Sequence, residues 1–227
     1  ESDKEKEREY LRMLGANKVD GIITGTHNAD IEEYEATGAP IIAFDRSLSE
    51  RVPIVSSDNF GGGKLATEAL LAAGAQHIAI ITGSNNPTLP TYQRYEGYVQ
   101  TLEANGRTPL PFKCAGQTIT LKTMQIASIL KTSGADGFFC TDDLTAIMLI
   151  NEAEKLGLRV PEDIKVVGYD ATALVRNYCA RLTTIAQPIE DCAILMCDLL
   201  LLRIQNPNAE MERQYILPVK LLAGGSV

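Results

Sequence analysis

The sequence Val166-Val167-Gly168-Tyr169-Asp170 constrains the fold of this chain more than any other stretch. Branched apolar residues that run directly into Gly and Asp are typical of a strand buried on both faces, with a carboxylate at its carboxyl end. The stretches 41–45 and 137–142 end on an aspartate in the same way. Because ligands of open parallel sheets bind outside the carboxyl ends of the strands, three acids at that edge predict a polar ligand pocket.

Strand-like and helix-like segments alternate along most of the chain. The apolar runs that we interpret as strands lie at 19–24, 40–45, 54–57, 77–82, 137–142 and 166–170. Segments with helical periodicity separate most of them. This alternation predicts an α/β fold with doubly wound parallel sheets. A further strand is expected at 214–222.

The run Gly61-Gly62-Gly63-Lys64 matches a loose dinucleotide-binding pattern. Such a site needs an acid at the end of the next strand to bind a ribose. That strand ends in Thr82-Gly83-Ser84, without an acid. We therefore interpret the glycines as positions where a helix packs closely against other backbone.

Composition narrows the class of protein. The 227 residues carry a net charge of −8, which argues against a grip on a phosphate backbone by this chain alone. The five cysteines are odd in number and form no C-x-x-C pair, which favours free thiols in a reducing compartment. No secretory leader is visible, and no apolar run reaches the ~18–20 residues that span a bilayer. We expect a cytoplasmic protein with no membrane partner.

The strand-edge residues favour ligand recognition over catalysis. Asp142, Asp143 and Asp170 could form an oxygen cage for Mg²⁺, but the chain has no D-x-D pair, no G-x-S-x-G elbow and no H-E-x-x-H. We expect no catalytic residue, metal or cofactor. Carboxylates accept hydrogen bonds from vicinal hydroxyls while Arg and amides donate others. The set that suits a neutral sugar is Asp45, Arg94, Asp142, Asp170 and Gln187.

Several segments together resemble the effector-binding core of the LacI/GalR family of bacterial transcriptional regulators, over essentially the whole chain. The segments that carry the resemblance are VDGII at 19–23, PIIAFDR at 40–46, DNFGG at 58–62, RYEGY at 94–98, VPEDIKVVGYD at 160–170 and LTTIAQP at 182–188. The resemblance implies a periplasmic-binding-protein-like fold, in which two similar lobes are joined by three crossovers and the effector binds in the cleft. It assigns 1–57 plus 186–208 to the N-terminal lobe, with its first β-α-β apparently missing. The C-terminal lobe would be 58–185 plus 209–227.

The resemblance also implies roles for individual residues. The pocket acids would be Asp45, Asp142 and Asp170, with Arg94 clamping the ligand and Gln187 facing it from a crossover. The neighbours that we expect beside them are Arg46, the His27-Asn28 loop and one aromatic residue, Tyr92. Family members commonly have Asn before the acid at the position of Asp142, whereas this chain has Thr141.

The function that follows from the resemblance is sugar sensing by a transcriptional regulator. It implies a homodimer and operator DNA binding through an N-terminal helix-turn-helix, which we expect to be missing from these residues. The apolar segment 189–204 is either sandwiched in a core or part of a subunit interface. Two alternatives remain: a periplasmic-type sugar-binding protein for transport, and a metal-dependent enzyme that uses Asp142 and Asp170.

Overall fold

A computed structural model of the chain describes residues 3–26, 28, 31–83, 86–87, 89–114 and 118–227. The chain folds into two compact units. The first unit contains Glu1–Ser57 and Pro188–Leu217, and the second contains Asp58–Gln187 and Pro218–Val227. The chain therefore passes from one unit to the other three times.

Helices and strands alternate along the chain as the sequence predicts. The helices are α1 (Lys4–Ala16), α2 (Glu33–Ala36), α3 (Asn59–Ala72), α4 (Pro90–Ala104), α5 (Ile119–Thr132), α6 (Asp143–Lys155), α7 (Ala173–Tyr178) and α8 (Ile189–Gln205). The strands are β1 (Ile22–Thr24), β2 (Ile41–Phe44), β3 (Ile54–Ser57), β4 (Ile78–Thr82), β5 (Leu110–Lys113), β6 (Gly137–Cys140), β7 (Lys165–Asp170), β8 (Thr183–Ala186), β9 (Gln214–Leu217) and β10 (Lys220–Leu222).

The first unit contains a parallel sheet with the strand order β1-β2-β3-β9. Ile42 and Val55 pack against the buried side of α8, which contributes Cys192, Met196 and Leu199. A second apolar cluster brings Leu11 of α1 together with residues of α2, β1 and β2. Burying each large side chain of this kind contributes roughly 1.5–3 kcal/mol, so helices on both faces stabilise the sheet.

The second unit contains a sheet with the strand order β10-β8-β7-β6-β4-β5. All neighbours are parallel except β10, which runs antiparallel to β8. Successive residues of β7 enter opposite layers: Val166 packs in the cluster with α5 and α6, and Val167 in the cluster with α3 and α4. This alternation is the strand period of two, and it buries β7 on both faces. The predicted α/β class with parallel sheets is confirmed.

Strand β5 and helix α7 were not predicted because their sequence patterns are weak. Strand β5 is an edge strand with partly exposed residues and a proline, Pro111, which is tolerated only where a ladder hydrogen bond is not needed. Helix α7 has only six residues, and Val175 is its buried residue. Helix α4 begins after Leu89, and Pro90 takes its first position, where proline costs no hydrogen bond.

The predicted final strand at 214–222 is two strands in two sheets. Pro218 and Val219 separate β9 from β10, and proline cannot donate to a ladder. Strand β9 pairs with β3 in the first sheet, whereas β10 pairs with β8 in the second. Residues 214–217 therefore belong with the first sheet, although the sequence analysis placed 209–227 in the C-terminal lobe.

Helices α3 and α4 pack closely because glycines face backbone at their contact. A Cβ added at Gly63 would lie 2.1 Å from the carbonyl oxygen of Arg94. A Cβ at Gly97 would lie 2.2 Å from the carbonyl oxygen of Phe60. The glycine run thus serves close helix packing, as the sequence analysis proposed. It also fixes the backbone from which the Arg94 side chain extends.

Candidate functional site

The carboxyl edge of the second sheet gathers four of the eight predicted ligand-binding residues. Asp170 ends β7, Asp142 follows β6 as the N-cap of α6, and Gln187 follows β8. Arg94 reaches the same edge from the first turns of α4. Parallel neighbours in the order β8-β7-β6 bring these residues together although they are distant in sequence.

Arg94 is almost completely buried, with 5% of its surface exposed. Its Nε donates to Oδ1 of Asn59 at 2.8 Å, and its Nη1 donates to the carbonyl oxygen of Thr141 at 2.6 Å. The guanidinium lies 3.6 Å from the ring centroid of Tyr169, and Nη1 is 3.7 Å from Oδ1 of Asp170. Together these contacts fix the position and orientation of the guanidinium. Its Nη2 forms no hydrogen bond with the residues that the structure describes and can donate to a ligand.

Asp170 occupies an unusual backbone conformation. Its φ is 114° and that of Ala171 is 50°, both in a region that side-chain-bearing residues rarely adopt. Nε2 of Gln187 donates to Oδ1 of Asp170 at 2.6 Å. The side chain of Asp170 remains 31% exposed, so its carboxylate can also meet a ligand. Backbone strain of this kind persists where the surrounding contacts enforce it, and it is common at ligand sites.

Asp142 caps a helix, and its carboxylate is also partly exposed. Its Oδ1 accepts a hydrogen bond from the backbone N–H of Thr145 at 2.7 Å, and its Oδ2 accepts one from the Thr145 hydroxyl at 2.6 Å. These bonds cap α6. Nζ of Lys122 is 4.0 Å from Oδ2, and the side chain is 38% exposed. Each carboxylate oxygen has a second lone pair that a ligand hydroxyl can use.

The neighbouring Asp143 is buried, with 2% of its surface exposed. Its Oδ1 accepts from the Thr184 hydroxyl at 2.5 Å, and its Oδ2 accepts from the backbone N–H of Ala171 at 2.7 Å. Burial is the main cause that raises the pKa of Asp143 from 3.8 to about 6. The two hydrogen bonds act in the opposite direction, and the charges of Asp170 and Asp142 raise the pKa further.

This raised pKa predicts a pH dependence of stability. The pKa of Asp143 in the folded state exceeds its value in the unfolded state. Its favourable contribution to the free energy of unfolding is therefore complete below about pH 4 and is lost as the pH rises through about 6. The free energy of unfolding of the wild type should therefore fall, relative to Asp143→Asn, by roughly 1–3 kcal/mol between about pH 4 and pH 7. Urea unfolding of both proteins across this range measures the difference. A constant difference would contradict the assignment.

In the first unit, Asp45 and Arg46 follow β2 at the carboxyl edge of that sheet. Asp45 has a φ of 62°, and its backbone N–H donates to the carbonyl oxygen of Val55 at 2.8 Å. Burial raises the pKa of the nearby Cys192 thiol, and the charge of Asp45 raises it further. Both residues are partly exposed. Their contact with the same ligand as Arg94 stays a prediction.

The other predicted neighbours contribute less to this edge. His27 lies outside the residues that the structure describes. Asn28 is buried, and its Nδ2 donates to the carboxylate of Glu7 at 2.5 Å, so this side chain serves a contact with α1. The ring of Tyr92 lies 5.9 Å from that of Tyr95, and within the described part of the chain its hydroxyl forms no hydrogen bond with Arg94 or Asp170.

Sequence reasoning missed the residues that support Arg94. Asn59 was not among the predicted site residues, yet its buried amide oxygen orients the guanidinium. Tyr169 was seen as strand core. The strand period could have indicated its role, because Tyr169 faces the same layer as Val167, towards α3 and α4. A Cβ at Gly62 would lie 2.5 Å from the Tyr169 hydroxyl, so this glycine makes room for the ring.

A cavity of about 730 Å³ lies elsewhere, in the first unit. Its lining residues precede β1, β2 and β3 and end α8, so it opens at the amino ends of the strands. Nε of Arg203 is buried there without a hydrogen-bond partner among the described residues. Volume alone does not make a ligand site. The carboxyl edge of the second sheet has the converging donors and acceptors that recognition of a polar ligand requires.

The arrangement at that edge suits a neutral, hydroxyl-rich molecule. Arg94 offers donors, while Asp142 and Asp170 offer acceptors, and vicinal hydroxyls can serve both at once. In the described ranges no three His, Cys, Asp or Glu side chains lie close enough to hold a metal ion. The same part of the chain contains no helix long and apolar enough to cross a membrane.

Comparison with known proteins gives a consistent result. Residues 67–227 match the family model of the periplasmic binding protein-like domain. The sucrose operon repressor of Pediococcus pentosaceus is 51% identical over 226 residues, which are 98% of this chain and 68% of that protein. Relatives with such names are regulators and not enzymes.

Solved structures resemble the chain over nearly its full length. A periplasmic binding protein/LacI transcriptional regulator from Alkaliphilus metalliredigens QYMF, complexed with D-xylulofuranose, gives a TM-score of 0.86 at 28% identity, covering 99% of this chain and 84% of that one. A LacI family transcriptional regulator from Enterococcus faecium with bound ribose gives 0.85 at 33% identity, covering 96% and 83%.

Proposed function

The chain belongs to the LacI/GalR family of transcriptional regulators through its periplasmic-binding-protein-like effector core, and we propose that it senses a neutral sugar that controls operator binding. The observation that carries the choice of ligand is the buried Arg94, whose Nη2 has no hydrogen bond with the described residues. Next to it stands the partly exposed carboxylate of Asp170.

The proposed effector is a neutral mono- or disaccharide rather than a sugar phosphate. Asp142 and Asp170 lie at the same edge as Arg94, and their charges oppose an anionic ligand. Similar repressors are named for sucrose and ribose operons, and the similar structures hold ribose and D-xylulofuranose. We therefore propose sucrose, or fructose released from it, as the first candidates.

Control of the operator requires that the sugar favour one conformation of the protein. A ligand shifts such an equilibrium only by the difference between its affinities for the two states. We propose that the sugar also contacts Asp45 and Arg46 of the first unit. A ligand that contacts both units would have its highest affinity for the conformation in which all of its contacts form at once.

The exposed side of α8 supports a homodimer as the working form. Ile194, Leu201 and Leu202 are exposed although Cys192, Met196 and Leu199 of the same helix are buried. An apolar surface of this kind is typical of an interaction site. Sedimentation equilibrium should give twice the mass of one chain, and a monomer at every concentration would contradict this proposal.

We place this function in the cytoplasm, where a repressor meets its operator. The free cysteines described in the structure agree with a reducing compartment. A transport role in the periplasm, the alternative considered from the sequence, is not favoured, because the similar proteins are operon repressors.

A thermal-shift panel tests the proposed ligand class. Sucrose, fructose, ribose and cellobiose are compared with fructose 6-phosphate and hypoxanthine. A ligand at about 100 times its Kd stabilises the folded state by about 2.7 kcal/mol and raises Tm measurably. We expect at least one neutral sugar to do so. Stabilisation by the phosphate or the purine alone would refute the neutral-sugar proposal.

A further inference from the structure

We infer that Asp143 is a positioning residue for effector binding, which acts by holding the Asp170–Ala171 bend and never touches the sugar. This inference rests on the proposed function and adds to it. Asp143 differs from the predicted ligand-binding aspartates, which are partly exposed, because it is buried and its carboxylate faces protein groups.

The contacts of Asp143 join three elements at the carboxyl edge. As the first residue of α6, it accepts one hydrogen bond from Ala171 after β7 and one from Thr184 in β8. A Cβ at Gly168 would lie 2.3 Å from its Oδ1, so the carboxylate rests directly on the glycine of β7. One side chain thus fixes the end of β7 relative to both neighbours.

The bend that Asp143 holds is strained and carries the ligand-binding acid. Asp170 and Ala171 both have positive φ without being glycine. Such a conformation persists only where other contacts enforce it. The hydrogen bond from the Ala171 N–H to Asp143 is an enforcing contact one residue beyond Asp170. Releasing it should let the bend relax and turn the Asp170 carboxylate away from Arg94.

The two hydrogen bonds that Asp143 accepts are strongest when its side chain is a carboxylate. Two donors, the Ala171 N–H and the Thr184 hydroxyl, each use a separate oxygen of Asp143. An amide of the same size offers one oxygen to the Ala171 N–H, and its N–H₂ group only donates, so the Thr184 hydroxyl must turn to accept from it. Asp143→Asn therefore preserves the volume, reverses one of the two bonds and replaces charge-assisted hydrogen bonds with weaker neutral ones.

The decisive experiment is a double-mutant cycle on effector affinity. Calorimetric titrations with sucrose and fructose compare the wild type, Asp143→Asn, Asp170→Asn and the double variant. We expect Asp143→Asn to weaken binding by about tenfold or more, and the double variant to lose little beyond Asp170→Asn, since the two residues act as one unit. Unchanged affinity in Asp143→Asn, or two losses that add fully, would overturn the inference.

Matched variants separate positioning from general loss of structure. Thr184→Val removes the hydroxyl at nearly constant volume and should weaken sugar binding. Thr184→Ser keeps the hydroxyl and should bind the sugar as the wild type does. Asp136→Asn is the control, because Asp136 accepts backbone hydrogen bonds from Gln76 and His77 at the amino end of β6. It should lower stability and leave affinity unchanged. An affinity loss in Asp136→Asn as large as in Asp143→Asn would count against positioning.

A measurement without ligand keeps the inference independent of the sugar assignment. The side-chain amide of Gln187 donates to Asp170 at 2.6 Å, so its NMR signals report the position of that carboxylate. We expect these signals to shift and their protons to exchange faster in Asp143→Asn, and to remain unchanged in Asp136→Asn. If they change while no sugar binds the wild type, the positioning role stands and the proposed function fails. Unchanged signals in Asp143→Asn overturn the positioning role.

Discussion

Replacing Arg94 with alanine is expected to weaken sugar binding by about 100-fold or more, since truncating a buried, hydrogen-bonded charge costs 2–5 kcal/mol or above. The substitution removes the donors that we propose to bind the ligand. It also leaves the carbonyl oxygen of Thr141 and the amide oxygen of Asn59 without the guanidinium that they bind. Calorimetric titration with the sugar identified by the thermal-shift panel measures the loss.

Two further variants show whether the guanidinium itself is needed. Arg94→Lys keeps the charge, but an ammonium cannot span the positions of Nε, Nη1 and Nη2 at once, so most of the affinity should still be lost. Arg159→Ala is the control, because Arg159 pairs with Asp163 on the surface of the same unit. Affinity within twofold of the wild type in Arg94→Ala would remove Arg94 from the binding site.

Replacing Gly63 with alanine should destabilise the second unit by roughly 2–3 kcal/mol, the cost typical of overpacking at a tight contact. The new Cβ would lie 2.1 Å from the carbonyl oxygen of Arg94, and backbone cannot move aside as a flexible side chain can. The helices must separate, and Arg94 must move with α4. We therefore expect a loss of sugar affinity together with the loss of stability measured by urea unfolding.

Gly15→Ala provides the matched control for this prediction. Gly15 is also in a helix, but a Cβ there would have its nearest neighbour at 3.9 Å. Alanine should be tolerated and should stabilise α1 by up to about 1 kcal/mol through its higher helix propensity. A Gly63→Ala protein as stable as the wild type would show that close packing of α3 on α4 is not required.

The alternation of elements was predictable because it depends on local patterns. Continuous apolar runs and helical periods are properties of short stretches, and they placed β7 and its neighbour β6 well. The sheet that β9 joins was not predictable in this way. The residues of β9 alternate between partly exposed and exposed, and its partner β3 is distant in sequence. Only the fold decides which sheet such a strand joins.

The site shows the same division between local and distant information. The acids that end strands were visible in the sequence, because an aspartate after an apolar run lies at the edge of the sheet. The hydrogen-bond partners of the residues at this edge could not be predicted from the sequence. Asn59 and Arg94 are 35 residues apart, and Asp143 and Thr184 are 41 residues apart. Contacts of this range arise from packing, and no spacing in the sequence announces them.

A crystal structure of the chain saturated with its sugar shows whether the ligand binds at Arg94 and Asp170. We expect sugar hydroxyls within hydrogen-bonding distance of Nη2 of Arg94 and of the Asp170 carboxylate, with the hydrogen bonds from Arg94 to Asn59 and Thr141 retained. A sugar bound at the amino ends of the first sheet, or one that makes no contact with Arg94 and Asp170, would rule out the proposed site.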